Sequence, residues 1–450
     1  MYDDGMAAAV SDTDRPGALD ITRRLTGICG PSFARLAGPA DEVAGCPARW
    51  VAVPGEPRAA AEVLRLAVAH DLTVVPRGAG TKIDWGATPD RLDIVLDTGR
   101  LAGIGHQPSA ETVEVGAGTP LRAVQATLER AGRRLAMDAP SPGATVGGVL
   151  AAGESGPLRL RHGSACEQLA GLRYLTADGD LVEIGGGAAG LDRARLLCGA
   201  QGALGVLVAA TLRVQAAPAS RMWVSRPVEN PMEVRELVRT VLGARLDPAA
   251  VELDLPAGVR PRPRQGGRAE AMSRHPSVTG RATAAAGSLT VLLEGGPSDV
   301  ADRANRLGAL FGAETAVTRS APRWWRHYPF APGDTALRLE VPIEDLHAAV
   351  YALCDASGAP VAVRGSAGLG VVHAALPGAM PAERVAMILA AVRAVLLARQ
   401  GRCVVVSAPP AVRRAVDLWG ELAGVAGMRA ARDDLDPHRR LAPGRLPGGL

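Results

Sequence analysis

The hydrophobic and polar positions near the N-terminus of the chain alternate between the period of strands and the period of helices. Short apolar runs at 50–53, 72–76 and 92–96 predict strands. Between the first two, apolar residues at helical spacing follow Pro57, and proline is favoured at the first position of a helix. This order predicts a small lobe of strands and one helix, which leads directly into a glycine-rich segment at 77–82.

A second set of apolar runs predicts another lobe built mainly of strands. The dipeptide Thr119-Pro120 is expected to cap a helix. The stretch 138–156 is rich in Gly, Pro and Ala, which predicts neither a regular strand nor a long helix. A short helix and turn are expected at 189–202. The strands of this lobe are predicted at 112–115, 172–176, 181–184 and 204–214.

After Pro218 longer helical periods alternate with strands, which predicts an α+β second domain whose two halves are loosely repeated. Its helices are expected from Pro231, after a cap at Ser298, around 346–353, and from Pro381. Residues 256–287 show no apolar period and are predicted to form a flexible insertion. The strands of this domain are predicted at 222–224, 249–253, 289–293, 336–341, 361–364, 370–376 and 403–406.

The length of 450 residues favours two or three domains. The boundaries that the pattern predicts are an N-terminal tail with one short helix at 1–45, a first domain at 46–218, a second domain at 219–430 and a C-terminal tail at 431–450.

The composition excludes several classes of protein. The net charge is +4, and no long basic run carries interleaved aromatic residues, so we expect no nucleic-acid partner. The six cysteines are scattered without CxxC spacing, which argues against a zinc or iron–sulfur site and favours a reducing compartment. No secretory signal is apparent, and the longest apolar helical stretch, 385–398, contains Arg393 and is too short to span a bilayer. We therefore expect a cytoplasmic protein with no metal and no transmembrane segment.

The segment 77–82 contains Lys82, the only lysine among 50 basic residues. A glycine-rich turn directly after a strand can point successive backbone N–H groups at phosphate oxygens. It is neither a P-loop, since Thr81 precedes the lysine, nor a Rossmann fingerprint, since Ile83 stands where glycine is needed. Within the second glycine-rich segment, 138–156, the apolar residues Val146, Val149 and Leu150 indicate a packed rather than a disordered loop. Two such segments suit a dinucleotide held between two lobes.

On these motifs, residues 51–218 resemble the FAD-binding domain of the vanillyl-alcohol oxidase or p-cresol methylhydroxylase (PCMH) type. Within that family they are most similar to the FAD-binding subunit of glycolate oxidase. The matching segments are 77–82 with Trp85-Gly86, 114–121, 144–148, 151–157 and 199–206, with weaker likeness at 324–330, 337–342, 435–438 and 443–445.

The resemblance implies an α+β fold, in which a two-lobed PCMH-type FAD-binding domain is followed by an α+β, ferredoxin-like cap domain. It implies that 77–82 cradle the pyrophosphate and that the backbone at 206–208 contacts the adenine end. Some relatives attach the flavin to a histidine where this chain has Thr81, so non-covalent FAD is expected. The cofactor-binding positions that it implies are Arg77, Gly78, Ala79, Gly80, Thr81, Lys82, Pro140, Gly143, Ala144, Thr145, Gly147, Gly148, Gly153, Ser155, Gly156, Gly205, Val206, Leu207 and Val208.

The chain departs from the family after residue 184. Gly185 to Gly187 lead almost directly into Ala189, about half a dozen residues are missing, and Leu191 replaces a tyrosine. This departure predicts a flavin environment that differs from that of the family.

The resemblance predicts the flavin subunit of a glycolate-type, 2-hydroxyacid dehydrogenase that passes electrons to a second flavin subunit and an iron–sulfur subunit. Association with a membrane would then come through those partners. A stand-alone FAD oxidase of a small alcohol or hydroxyacid, and a degenerate subunit that assembles a complex without flavin, are the alternatives. Arg338 and Arg364 are candidates for binding a substrate carboxylate, with His327 or His373 as the base.

Overall fold

The computed structural model describes residues 16–105, 111–185, 188–257 and 287–450. Almost all of the predicted insertion at 256–287 lies outside the described residues. Residues 186 and 187, in the segment where the chain is shorter than the family, also lie outside them. The helices are α1 Pro16–Cys29, α2 Pro57–Ala69, α3 Leu121–Glu129, α4 Val146–Ala152, α5 Arg159–His162, α6 Ala188–Leu197, α7 Pro231–Gly243, α8 Pro297–Phe311, α9 Leu346–Ser357, α10 Ala382–Leu397, α11 Pro410–Ala415 and α12 Val425–Leu435. The strands are β1 Ala34–Leu36, β2 Trp50–Ala52, β3 Val74–Arg77, β4 Ile94–Asp97, β5 Ile104–Gly105, β6 Thr112–Gly116, β7 Arg133–Leu135, β8 Leu169–Leu175, β9 Leu181–Gly185, β10 Val206–Ala216, β11 Ser220–Val228, β12 Ala250–Leu255, β13 Gly287–Gly295, β14 Ala316–Thr318, β15 Thr335–Glu340, β16 Ala362–Ser366, β17 Val371–Leu376 and β18 Arg402–Ser407.

The first lobe is a four-stranded sheet in the order β1-β2-β4-β3. Strands β2, β4 and β3 run parallel, so the chain must cross over between β2 and β3, and α2 makes this crossover. The apolar face of α2, including Val63 and Leu64, packs in one core with Trp50 and Ile94 of the sheet. Strand β3 ends at Arg77, and the glycine-rich segment therefore leaves the sheet at its edge.

The helix predicted in the N-terminal segment 1–45 is present as α1, but from residue 16 onward this segment is packed and is not a tail. Ile21, Leu25 and Cys29 recur every four residues along α1, and this stripe is buried in the core of the first lobe. Strand β1 pairs antiparallel with β2 and extends the same sheet. The first domain thus includes the segment from Pro16 to residue 45.

The second lobe is an antiparallel sheet in the order β5-β6-β10-β8-β9, and β7 also pairs with β10. Its core joins the apolar faces of α3 and α4 to the inner face of the sheet, through residues such as Val124, Val149 and Leu212. Helix α4 begins inside the glycine-rich segment 138–156, because Thr145 caps it by accepting a hydrogen bond from the amide of Gly148 at 3.2 Å.

The C-terminal domain is an eight-stranded antiparallel sheet in the order β14-β11-β13-β12-β16-β17-β15-β18. Each half has the order strand, helix, strand, strand, helix, strand, and the halves join where β12 pairs with β16. Helices α7 to α10 contribute to one core with the sheet. Helix α8 begins at Pro297 after Gly296, slightly earlier than the predicted cap at Ser298.

The predicted C-terminal tail at 431–450 is also wrong. Leu441 bridges to Val74 of β3, and the amide of Ala442 donates to the carbonyl of Val74 at 2.8 Å. Arg432 on α12 is fully buried, and its guanidinium donates to the carbonyls of Ala203 and Leu441. Residues of this C-terminal segment therefore pack against the first domain.

Candidate functional site

The two glycine-rich segments predicted to cooperate meet in the structure. A Cβ atom on Gly78 would lie 2.3 Å from Oγ1 of Thr145, and a Cβ atom on Gly147 would lie 2.7 Å from Cβ of Ala117. Only glycine permits both approaches without displacing the neighbouring chain. The segment that follows β3 and the start of α4 are thereby held against each other between the lobes.

A cavity opens where these segments meet, and we call it the glycine cavity. The backbone N–H groups of Gly78 to Lys82 donate to no other atom of the described chain, so successive amides are available to an anion. The wall opposite comes from the start of β10 and from the C-terminal segment. Its lining is Pro76, Arg77, Gly78, Ala79, Gly80, Thr81, Lys82, Ile83, Trp85, Thr98, Ala117, Thr145, Gly147, Gly148, Ala151, Ala152, Gln201, Gly202, Gly205, Leu207 and Arg445.

The two arginines of the glycine cavity are already engaged. Arg77 forms ion pairs with Asp41 at 3.1 Å and with Asp97 at 3.0 Å. Arg445 donates to the carbonyls of Ile83, at 3.0 Å, and Trp85, and burial lowers its pKa to about 10. Both arginines therefore fix the shape of the loop, and the amides remain its free donors.

Lys82 links the glycine cavity to the C-terminal domain. Its ammonium forms a buried ion pair with Glu154, contacts the hydroxyl of Ser141, and lies 5.0 Å from the ring centre of Trp85. Tyr328 donates to the other carboxylate oxygen of Glu154 at 2.9 Å. Burial lowers the pKa of Lys82, and the Glu154 carboxylate opposes that effect. Three segments far apart in sequence thus share one buried polar cluster.

A second cavity lies between the first domain and the C-terminal domain, and we call it the interdomain cavity. Ser155, Gly156 and Arg159 line it from the first domain, and the remaining wall is the C-terminal sheet with the segment 324–328. The rings of Tyr328 and His373 meet edge to face, with 4.8 Å between centroids. The residues that line it from the C-terminal domain are Glu252, Trp324, Arg326, His327, Tyr328, Arg364, Gly365, Ser366, Leu369, Val371 and His373.

The structure gives the candidate catalytic residues different environments. Arg364 lines the interdomain cavity but forms an ion pair with Asp254 at 2.8 Å. Arg338 pairs with Glu340 and is not among the residues that line this cavity. His373 lines the cavity, and burial with nearby Arg338 and Lys82 lowers its pKa to about 3. His327 also lines it and is exposed, with Nδ1 2.9 Å from the carbonyl oxygen of Trp325.

Most positions predicted to bind the cofactor line the glycine cavity. Pro140, Ser155 and Gly156 line the interdomain cavity instead, while Gly143 and Ala144 line a third cavity beside α3. Along β10, Gly205 and Leu207 line the glycine cavity, whereas the side chains of Val206 and Val208 point into the core of the first lobe. Gly153 ends α4 with φ +62° and is not part of these linings.

Three features of the site were missed in the sequence. Gln201 and Arg445 line the glycine cavity, whereas the sequence marks only the motifs 199–206 and 443–445 in which they lie. Glu252 is a buried acid on β12 that lines the interdomain cavity. The sequence did not predict that Glu252 is buried, because the burial of β12 depends on contacts with the first domain.

Comparison with known proteins finds a match to FAD-binding domains in the part of the chain that contains both glycine-rich segments. Residues 48–185 match the family model described as "FAD binding domain". This part of the chain is similar to the FAD-binding domains of that family. The predicted resemblance to the PCMH-type domain is confirmed, and FAD is the cofactor that the match and the flavoprotein relatives indicate.

The curated relatives match over little more than a third of the chain. D-2-hydroxyglutarate dehydrogenase of Xanthomonas citri pv. viticola is 32% identical over 174 residues, which are 37% of this chain and 37% of the relative. Glycolate oxidase subunit GlcE of Escherichia coli is 31% identical over 175 residues, 37% of this chain and 49% of the relative. D-lactate dehydrogenase of Archaeoglobus fulgidus is 29% identical over 171 residues, 36% of this chain and 38% of the relative. The chain spans less than half the length of each of these relatives.

Solved structures extend the likeness to the whole fold. An alkyldihydroxyacetonephosphate synthase structure matches 94% of this chain and 84% of its own length, with a TM-score of 0.66 and 14% identity. At that identity the match speaks for the fold alone, a mixed α/β fold over nearly the whole chain.

Within the described ranges, no helix is both long and apolar enough to cross a membrane. No group of three or more His, Cys, Asp or Glu side chains in the described part of the chain is placed to hold a metal ion.

Gly78→Val is expected to weaken FAD binding about 30- to 150-fold, which corresponds to about 2–3 kcal/mol. The added side chain overlaps Thr145 and separates the two segments that line the glycine cavity. Titration of the FAD-free chain measures the change. Gly27→Val is the matched control, because Gly27 is exposed and has no atom within 4 Å of an added Cβ. Equal FAD affinity of the two variants would show that the contact at Gly78 does not shape the site.

Proposed function

We propose that the chain is an FAD-dependent oxidoreductase that oxidises a small 2-hydroxyacid and belongs to a complex of the glycolate oxidase type. The observation that carries this proposal is the glycine cavity, whose free amides lie in the segment that matches the FAD-binding family. The relatives whose names include glycolate oxidase, D-lactate dehydrogenase and D-2-hydroxyglutarate dehydrogenase support a 2-hydroxyacid as the substrate class.

The residues of the glycine cavity fit the diphosphate of FAD. The amides of Gly78 to Lys82 would hold the phosphate oxygens, and the glycines at 78 and 147 leave room that a Cβ would fill. The described lining of this cavity contains no His, Cys or Tyr, and this supports non-covalent FAD. When bound, FAD would accept the hydride of the alcohol, which carries both electrons of the oxidation, and the protein supplies binding and orientation.

The C-terminal domain would act as the cap that completes the substrate site. The interdomain cavity combines Ser155 and Gly156 of the first domain with basic side chains, as a hydroxyacid anion needs. Because Arg364 is neutralised by Asp254, Arg159 and Arg326 are the better candidates for the substrate carboxylate, since neither forms an ion pair within the described residues. We describe this domain as a ferredoxin-like cap on the basis of its two repeated halves.

Anaerobic mixing of the FAD-loaded chain with D-2-hydroxyglutarate, D-lactate or glycolate tests the proposed activity. At least one of them is expected to bleach the flavin absorbance, and acid precipitation is expected to release the FAD into solution. Flavin that stays oxidised with all three acids, in the chain and in its native complex, would contradict the assignment.

The subunit role rests on the likeness to the glycolate oxidase subunits GlcE and GlcD. Purification of the native complex is expected to yield a second flavin subunit and an iron–sulfur subunit. A chain that purifies alone and turns over with oxygen would instead be a stand-alone oxidase.

A further inference from the structure

Glu252 is a buried acid of the interdomain cavity that forms no ion pair with any residue that the structure describes. Its residue is 6% exposed, it lines the cavity, and its Oε1 atom has no hydrogen-bond partner among the described residues. The other acid of β12, Asp254, forms an ion pair with Arg364 at 2.8 Å. The two acids of β12 therefore have different environments. Asp254 neutralises an arginine, whereas one carboxylate oxygen of Glu252 has no partner among the described residues. A buried polar atom with no partner is uncommon in native proteins and is a reason to look for an absent ligand.

The groups around Glu252 come from both domains. Asp138 and Arg159 belong to the first domain, and Ser366 lies opposite Glu252 in the pairing of β12 with β16. Burial, reinforced by the Asp138 carboxylate, raises the pKa of Glu252 to about 8, and Ser366 opposes this effect. Burial also raises the pKa of Asp138, to about 6. The remaining charged and titratable groups that line the cavity are Arg326, His327, Tyr328, Arg364 and His373.

We propose that Glu252 is the catalytic base of the interdomain cavity and takes the proton of the substrate's 2-hydroxyl group. This inference rests on the proposed function. The hydroxyl O–H bond breaks and its proton passes to the Glu252 carboxylate, while the C–H bond of the same carbon breaks and its hydride passes to the bound flavin. The electron pair of the O–H bond completes the carbonyl of the product, a 2-oxoacid.

The histidines of the cavity are weaker candidates for this role. A base acts best when its pKa lies near the working pH. The pKa of His373 is lowered to about 3, so its ring holds a proton poorly and serves better as a neutral hydrogen-bond partner. His327 is exposed on its turn, and solvent competes for its ring. Glu252 combines burial, access to the cavity and a pKa near neutrality.

The rate at which a 2-hydroxyacid reduces the flavin in wild type and Glu252→Gln tests the role. In the wild type the rate is expected to rise up to about tenfold per pH unit and to level off near pH 8. Glutamine keeps the size of the side chain but accepts no proton, so the rate is expected to fall about 10²- to 10⁴-fold and to lose this pH dependence. Glu314→Gln, an exposed change in the same domain, is the matched control and is expected to behave as wild type.

The outcomes separate this inference from the proposed function. If the wild-type flavin is reduced and Glu252→Gln matches its rate and pH profile, Glu252 is not the base and the oxidoreductase proposal stands. If none of the hydroxyacids reduces the wild-type flavin, both proposals are overturned. A slow, pH-independent Glu252→Gln beside a pH-dependent wild type supports both.

Thermal unfolding across pH gives a readout that needs no substrate. Because the folded pKa of Glu252 is raised, the folded chain binds more protons than the unfolded chain between its ordinary value of 4.5 and about 8. The wild type must therefore lose stability as the pH rises through this window. The unfolding temperature of the wild type is expected to fall relative to that of Glu252→Gln from pH 5 to pH 8. Parallel curves for the two proteins would show that Glu252 is not held in the environment that the proposed role requires.

Discussion

Replacing Lys82 by methionine is expected to lower the free energy of unfolding of the FAD-free chain by about 3–5 kcal/mol. Methionine fills much of the same space, so the loss comes from the charge and not from a cavity. Without the ammonium, the carboxylate of Glu154 stays buried, and Tyr328 is its only remaining donor among the described residues. Denaturant unfolding followed by circular dichroism measures the change.

A second substitution in the same chain distinguishes this cause from a general loss of packing. Glu154→Gln removes the charge that Lys82→Met leaves unpaired, so the double variant is expected to recover most of the lost stability. The coupling between two such groups is measured by the double-mutant cycle. Simple addition of the two single losses would show that Lys82 and Glu154 do not stabilise each other.

Arg432→Met is expected to cost a similar amount, about 3–5 kcal/mol. The guanidinium donates to the carbonyls of Ala203 and Leu441 and lies 3.3 Å from the buried carboxylate of Asp436. Methionine would leave these acceptors unpaired in the interior. Because Ala203 belongs to the turn that supplies Gln201 to the glycine cavity, FAD retention should fall as well.

Arg429→Met is the matched control for this prediction. Arg429 lies one turn earlier on the exposed face of α12, and its replacement is expected to change stability by less than about 0.5 kcal/mol. Equal stability of the two variants would mean that the C-terminal segment is not anchored through Arg432.

The glycine segments could be predicted because their chemistry is local. A strand that runs into Gly78 and Gly80 must turn, and glycines at 147 and 148 beside buried valines indicate a close approach of backbone. The alternating apolar periods likewise predicted most helices and strands, since burial of one face sets them. These features depend on residues that are neighbours along the chain, so a single sequence is enough to predict them.

The polar cluster and the anchored termini depend on neighbours in space instead. Lys82 was expected to contact phosphate, but its partner Glu154 lies 72 residues away and is joined to Tyr328 of another domain. Arg432 looks like any solvated arginine, and α1 has only a few apolar residues, so both termini were predicted as tails. Arg364 was a candidate for the substrate, and only the pairing of β12 with β16 shows that Asp254 neutralises it.

Titration of the full chain, stripped of flavin, with FAD tests the central claim most directly, because that claim is that two glycine segments form one site for one dinucleotide. Calorimetry and the visible spectrum are expected to show one FAD per chain, with Gly78→Val weakened and Gly27→Val unchanged. Absence of binding heat and of bound flavin at saturating FAD, in a chain that unfolds cooperatively, would contradict the account.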